Sequence, residues 1–217
     1  MTYLTYALVL IIAYLLGSVP MGYVMGRLYG VDVRKYGSGK TGGTNLARIV
    51  GWPKTVPVII GDPAKAAIAI LLARHVTHNE VIAVLAALAA LAGHNWPIYI
   101  GFRGGRGVGP VVGALIVFEP IIAAITIVAG VAIALLSRYV SLGSILGSAL
   151  AIVLSIAAAL CGAERLDHVV FVTLACGLII VVHADNIQRL LAGTERRLGE
   201  RVQVAPDDEA SRENTQS

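Results

Sequence analysis

VGPVVGALIVFEPIIAAITIVAGVAIALLS, residues 108–137, carries a single charged residue, Glu119, with Pro120 directly behind it. As one helix this stretch would run about 45 Å at 1.5 Å per residue. That is half as long again as the ~30 Å hydrocarbon layer of a membrane. Proline also lacks the N–H that an unbroken helix uses. The reading is therefore a tight hairpin with helices at 108–118 and 121–137, its first arm short for a full crossing.

The same character extends outward in both directions. Of the 217 residues 57% are hydrophobic and 14% charged, against roughly 25% charged in ordinary soluble domains; mean hydropathy is +0.78. No charge precedes Arg27, and none lies between Glu80 and Arg103 or between Arg138 and Glu164. These gaps predict helices at 3–26, 54–73, 80–98, 143–161 and 167–182 beside the hairpin, an all-α polytopic membrane protein of seven spans. A soluble globule, a nucleic-acid binder and a disordered chain are excluded. In this setting the net charge of +4 is a matter of loop orientation.

The basic residues supply that orientation. Arg27, Arg34, Lys35, Lys40, Arg48 and Lys54 fall in the first loop, Arg103 and Arg106 in the third, and Arg138 in the fifth. Arg189, Arg196, Arg197, Arg201 and Arg212 follow the last span. The opposite side holds Arg74 and Arg165. Fusing the hairpin would divide the basic residues almost evenly, so the positive-inside rule favours seven spans, the N-terminus outside and the C-terminus cytoplasmic. Ile187, Leu190, Leu191 and Leu198 share one face of an expected surface helix at 186–199. Residues 1–199 thus read as one membrane domain and 200–217 as a disordered cytoplasmic tail. The start lacks the basic region of a cleavable signal. Cys161 and Cys176 match no metal or redox spacing.

Three segments on the cytoplasmic side are richer than loops need to be. The first is Gly37-Ser38-Gly39-Lys40-Thr41-Gly42-Gly43-Thr44-Asn45, followed by Arg48. Glycines let backbone N–H groups converge on an anion, and hydroxyls and cations complete a phosphate cradle. A nucleotide P-loop does not fit: the required earlier glycine is Arg34, and a membrane helix follows. The second segment has His94 followed by Arg103-Gly104-Gly105-Arg106-Gly107, again suited to phosphate, or to lipid headgroups. The third is His183-Ala184-Asp185-Asn186, where a histidine can move a proton and an asparagine can bind a hydroxyl. His94, His183 and Asp185 do not form a metal-ligand pattern. Asp62 and Lys65, one turn apart in the second span, read as an interior ion pair or as part of a substrate site. Gly22/Gly26, Gly109/Gly113 and Gly143/Gly147 suit close packing.

Taken in order, GSGKTGGTNLAR at 37–48, GHNWPIYIGFRGGRGV at 93–108 and HADNIQRLLAGTE at 183–195 resemble the three motifs of the bacterial acyl-phosphate:glycerol-3-phosphate acyltransferase family (PlsY). The resemblance implies transfer of a fatty acyl group from acyl phosphate to the 1-hydroxyl of sn-glycerol 3-phosphate, without metal or cofactor, at the cytoplasmic face of the cell membrane. It implies catalytic roles for His183, Asn186, Ser38 and Arg48. Phosphate binding would fall to Gly39, Lys40, Thr41, Gly42, Gly43, Thr44 and Asn45, and to Arg103, Gly104, Gly105, Arg106 and Gly107. His94, Asp62, Lys65 and Glu195 would support them. Expected partners are the two substrates, the bilayer and the enzyme supplying acyl phosphate. Three departures stand out: Arg103 and Arg106 replace the family's usual lysines, Lys40 its asparagine, and Ala184-Asp185 its arginine–glutamate pair. A related enzyme with another polyol-phosphate acceptor is one alternative. A transporter or flippase for a phosphorylated lipid or metabolite is the other, though no inverted repeat is visible and the motifs gather at one surface.

Overall fold

The computed structural model describes residues 2–203, so most of the expected disordered tail, 204–217, lies outside the described residues. Among the described residues ten α-helices follow one another: α1 Tyr3–Ser18, α2 Met21–Leu28, α3 Gly43–Val50, α4 Val56–Thr77, α5 Glu80–Asn95, α6 Val108–Phe118, α7 Pro120–Ser137, α8 Val140–Leu160, α9 Leu166–Val182 and α10 Ala184–Leu191. The described residues contain no strand. Five stretches are long and apolar enough to cross a membrane: α1 with α2, α4 with its leading turn, α5, α7 and α8. The bent pair α9–α10 would make a sixth. α6 has 11 residues, about 16 Å of helix.

α5 is the central helix, packed against α1, α4, α6 and α9. Its sequence explains the position: Ala83, Ala86, Ala87, Ala90 and Gly93 are buried, and such small residues let neighbouring backbones approach. Gly17 of α1 abuts the Ala90 carbonyl, and Gly113 of α6 abuts that of Pro63, with no room for a Cβ at either. Gly130 and Gly143 bring α7 and α8 together in the same way. Gly22 and Gly26 pack against the first loop at Thr41 and Val33 rather than against another helix. Bulky side chains turn outward, including Ile121, Val128, Leu136 and Leu160.

Four expectations need correction. The helix expected at 3–26 is broken at Val19-Pro20, because proline cannot donate into the helix. The helix expected at 80–98 stops at Asn95, ahead of Pro97; proline disfavours helix in the residue before it. The surface helix expected at 186–199 ends at Leu191, and Gly193 turns the chain with φ +71°. The start of the expected tail is also ordered: the Val202 N–H donates to the Arg48 carbonyl at 3.0 Å.

Candidate active site

The first loop condenses around Asn45. Its Oδ1 accepts the Ser38 N–H at 2.9 Å, and its Nδ2 lies 3.0 Å from both the Val33 and the Lys40 carbonyls. This side chain, expected at the phosphate, is instead committed to holding the loop. The loop then feeds α3, whose first residues carry N–H groups without intrahelical acceptors. Gly42 precedes α3 with no side-chain cap, so the amides of Gly43 and Thr44 form an electropositive end.

One cavity of about 290 Å³ gathers all three segments. Ser38, Lys40, Gly42, Gly43, Thr44, Asn45 and Arg48 reach it from the first; His94, Arg106 and Gly107 from the second; His183, Asn186 and Glu195 from the third. Asp62 joins from α4. Gly39, Thr41, Lys65, Arg103, Gly104 and Gly105 are not among its lining residues.

The second segment divides sharply. The Gly104 and Gly105 N–H groups donate to the Asn95 and His94 carbonyls at 3.2 and 3.0 Å. A Cβ on Gly105 would run into the His94 imidazole. These glycines hold the loop against α5, and their amides are not free for phosphate. Arg103 is exposed. Arg106 is half-buried, and its Nε has no hydrogen-bond partner among the described residues.

Arg48 and Arg106 pair with no carboxylate among the described residues. Burial pushes both guanidiniums below their ordinary value; Arg196 beside Arg48 and Arg189 near Arg106 act in the same sense. Half-buried cations that form no ion pair are costly, and Glu195 offsets that cost at both only in part. A bound dianion would remove that cost at both.

His183 caps the end of α9, its Nδ1 2.7 Å from the Ile179 carbonyl. Since a carbonyl only accepts, Nδ1 carries the hydrogen and Nε2 keeps a lone pair. Burial pushes the imidazole down to about 4, so it is neutral at pH 7 and its Nε2 can accept a hydrogen bond. Asn186 Nδ2 donates to Glu195 Oε1 at 2.7 Å, leaving Asn186 Oδ1 buried and without a partner among the described residues. The same Glu195 oxygen accepts Ser141 Oγ at 2.9 Å, while Oε2 accepts Arg189 Nε at 2.8 Å. Glu195 thus fixes which face Asn186 shows to the cavity.

Asp62 and His94 form a buried cluster in the cavity wall with Lys65 behind them. Lys65 Nζ lies 3.0 Å from Asp62 Oδ1 and 2.9 Å from His94 Nδ1, and donates to the Val19 carbonyl at 2.9 Å. The break at Pro20 is therefore closed by a lysine from α4. Asp185 is exposed and outside the cavity lining.

Ser141, Ser144 and Trp52 also line the cavity, and the three sequence motifs include none of them. Two hydroxyls one turn apart at the start of α8, just after Arg138, are the available signal. A second, largely apolar cavity of about 350 Å³ runs on between α6, α7, α8 and α9. Thr44, Trp52, Ile59, Val108, Val112 and Ser144 line both, so a polar chamber and an apolar one share a rim.

The glycerol-3-phosphate acyltransferase family matches residues 7–193. A glycerol-3-phosphate acyltransferase from Thermus thermophilus is 44% identical over 195 residues, covering 90% of this chain and 96% of its own. A second such enzyme, from Moorella thermoacetica, is 44% identical over 198 residues, covering 89% of this chain and 98% of its own. Among solved structures, the glycerol 3-phosphate form of PlsY (YgiH), an integral membrane glycerol 3-phosphate acyltransferase, aligns with a TM-score of 0.82. It is 34% identical and covers 89% of this chain and 96% of its own. The lysophosphatidic acid form aligns with a TM-score of 0.80 at 33% identity. With sequence and fold agreeing across nearly the whole length, the chain belongs to the glycerol-3-phosphate acyltransferase family and is a multi-pass membrane enzyme.

Proposed function

We propose that the chain transfers a fatty acyl group from acyl phosphate to the 1-hydroxyl of sn-glycerol 3-phosphate, giving lysophosphatidic acid and inorganic phosphate. The observation that carries this reading is the shared rim. Unpaired Arg48 and Arg106, the start of α3 and the His183–Asn186 pair face one polar chamber, and an apolar chamber sized for a chain adjoins it.

An acyl phosphate is already activated, so the protein's work is positioning and charge stabilisation. The Gly43 and Thr44 amides with Ser38, Thr44 and Arg48 hold one phosphate, and Arg106 holds the second. Asn186 Oδ1 accepts from the glycerol hydroxyl. That oxygen attacks the acyl carbon, the carbon–oxygen bond to phosphate breaks, and phosphate leaves with the electron pair. The hydroxyl proton passes to His183 Nε2 or to a donor phosphate oxygen. The acyl chain lies in the apolar chamber. Seven crossings, with α6 as the short one, put the chamber on the cytoplasmic side, where the basic loops gather.

The test is phosphate release by purified protein given palmitoyl phosphate and glycerol 3-phosphate, with palmitoyl-CoA in parallel. Release should require both substrates and be matched by lysophosphatidate. It should fall about 10²–10³-fold in Arg48→Ala and about 10²–10⁴-fold in His183→Ala. Turnover with palmitoyl-CoA alone, or none with acyl phosphate, would overturn the donor.

A further inference from the structure

A second polar cluster stands at the opposite end of the bundle. His168 lies in the first turn of α9 and His183 follows its end, about 22 Å apart along the helix axis. Glu119, in the turn between α6 and α7, is 2% exposed. Its Oε1 accepts from Ser155 Oγ at 2.7 Å, but Oε2 has no partner among the described residues. A buried carboxylate oxygen left this way is expensive unless something positive meets it.

Two further groups converge there. A Glu119 oxygen, a Glu164 oxygen and a ring nitrogen of His168 lie within 4.8 Å of one another, and His168 is 5% exposed. His168 Nδ1 lies 2.8 Å from Glu164 Oε1, and Nε2 lies 2.8 Å from Glu80 Oε1. Arg74 Nε holds Glu80 Oε2 at 2.9 Å. A histidine that donates one ring N–H to a carboxylate presents its other lone pair to a metal, in a fixed orientation.

We propose that Glu119, Glu164 and His168 form a binding site for a divalent cation, with zinc the best match to one imidazole and two carboxylates. The cation balances both carboxylates and takes the His168 Nδ1 lone pair, displacing the proton now shared with Glu164. Glu80, anchored by Arg74, keeps the Nε2 hydrogen. The site ties the α6–α7 turn to the start of α9 and, through Glu80 and Arg74, to α5 and α4. It is structural and separate from the catalytic cavity.

The experiment adds zinc chloride to the purified full-length protein in detergent and measures zinc retained per chain and the melting temperature. His75 and His78, exposed at the end of α4, are the control for adventitious binding. Wild type and the His75→Ala/His78→Ala variant should each retain one zinc, with melting raised by about 5 °C at zinc 100-fold above its dissociation constant. Glu119→Gln and His168→Asn should bind at least about tenfold more weakly and lose the shift. Acyl transfer without added zinc reports that each variant is folded. If Glu119→Gln fails to fold, Glu164→Gln, at a side chain 16% exposed, replaces it. Absence of zinc from wild type, retention by Glu119→Gln or Glu164→Gln, or loss on changing His75 and His78 would each overturn the site.

Discussion

Replacing Arg106 with alanine should lower kcat/KM for acyl transfer about 10²–10³-fold, whereas the same change at Arg103 should cost less than about threefold. The two arginines are three residues apart in one glycine-rich turn, and their surroundings separate them. Arg106 lines the cavity with an Nε that has no partner among the described residues; Arg103 is exposed and outside the lining. A half-buried guanidinium without a counterion bonds a phosphate in a medium where each contact is strong, while an exposed one is screened by water. Arg106→Lys keeps the charge but loses the fork, so it should fall between wild type and alanine. Steady-state kinetics on the three variants, with glycerol 3-phosphate varied, checks this. Equal losses at both positions would mean that the turn closes over the substrate as a unit.

Glu195→Ala should cost about 10²-fold in kcat, although this carboxylate touches neither proposed substrate. Its two oxygens accept Ser141, Asn186 and Arg189 at 2.7–2.9 Å. Removing them strands an arginine and frees Asn186 to turn, so Asn186 Oδ1 no longer faces the hydroxyl. Leaving the buried Ser141 and Asn186 donors without their acceptor costs about 1–3 kcal/mol, so melting should fall as well. Burial alone would raise the Glu195 carboxyl, but the bonds from Asn186, Arg189 and Ser141 outweigh it and hold the group below its ordinary value. A carboxyl depressed on folding stabilises above its unfolded pKa of about 4.3. That contribution disappears as pH falls through the lower folded value. Melting temperature followed from neutral to acid pH should therefore drop more steeply in wild type than in Glu195→Gln.

Much of this architecture is legible in the amino-acid sequence. The Glu119-Pro120 break and the bounds of α6 follow from one charge and one missing N–H, both local properties. The gathering of Arg48, Arg106, His183 and Asn186 in one cavity follows from motifs expected on one membrane side. What sequence conceals is the division of labour within each motif. Asn45, Gly104 and Gly105 look like phosphate ligands because their residue types suit that task. Their hydrogen bonds run instead to Val33, Asn95 and His94, which a loop's sequence does not reveal. Ser141 escapes a sequence reading because a serine in an apolar helix gives no sign of its partner 54 positions away. Lys65 reads as one half of an ion pair. Its third contact, the Val19 carbonyl, exists only because Pro20 breaks the helix there.

The Val202 bond to Arg48 has a practical side. The chain's last described residues lie against α3, the helix that follows the proposed phosphate-binding loop. Tyr3 begins α1 at the opposite end, about 24 Å from the Pro20 break. A purification handle or reporter domain joined just beyond Gln203 would crowd the mouth of the enzyme, and trimming the chain back to Glu195 would remove a brace. Handles belong at the start of α1, where the bundle has nothing to catalyse.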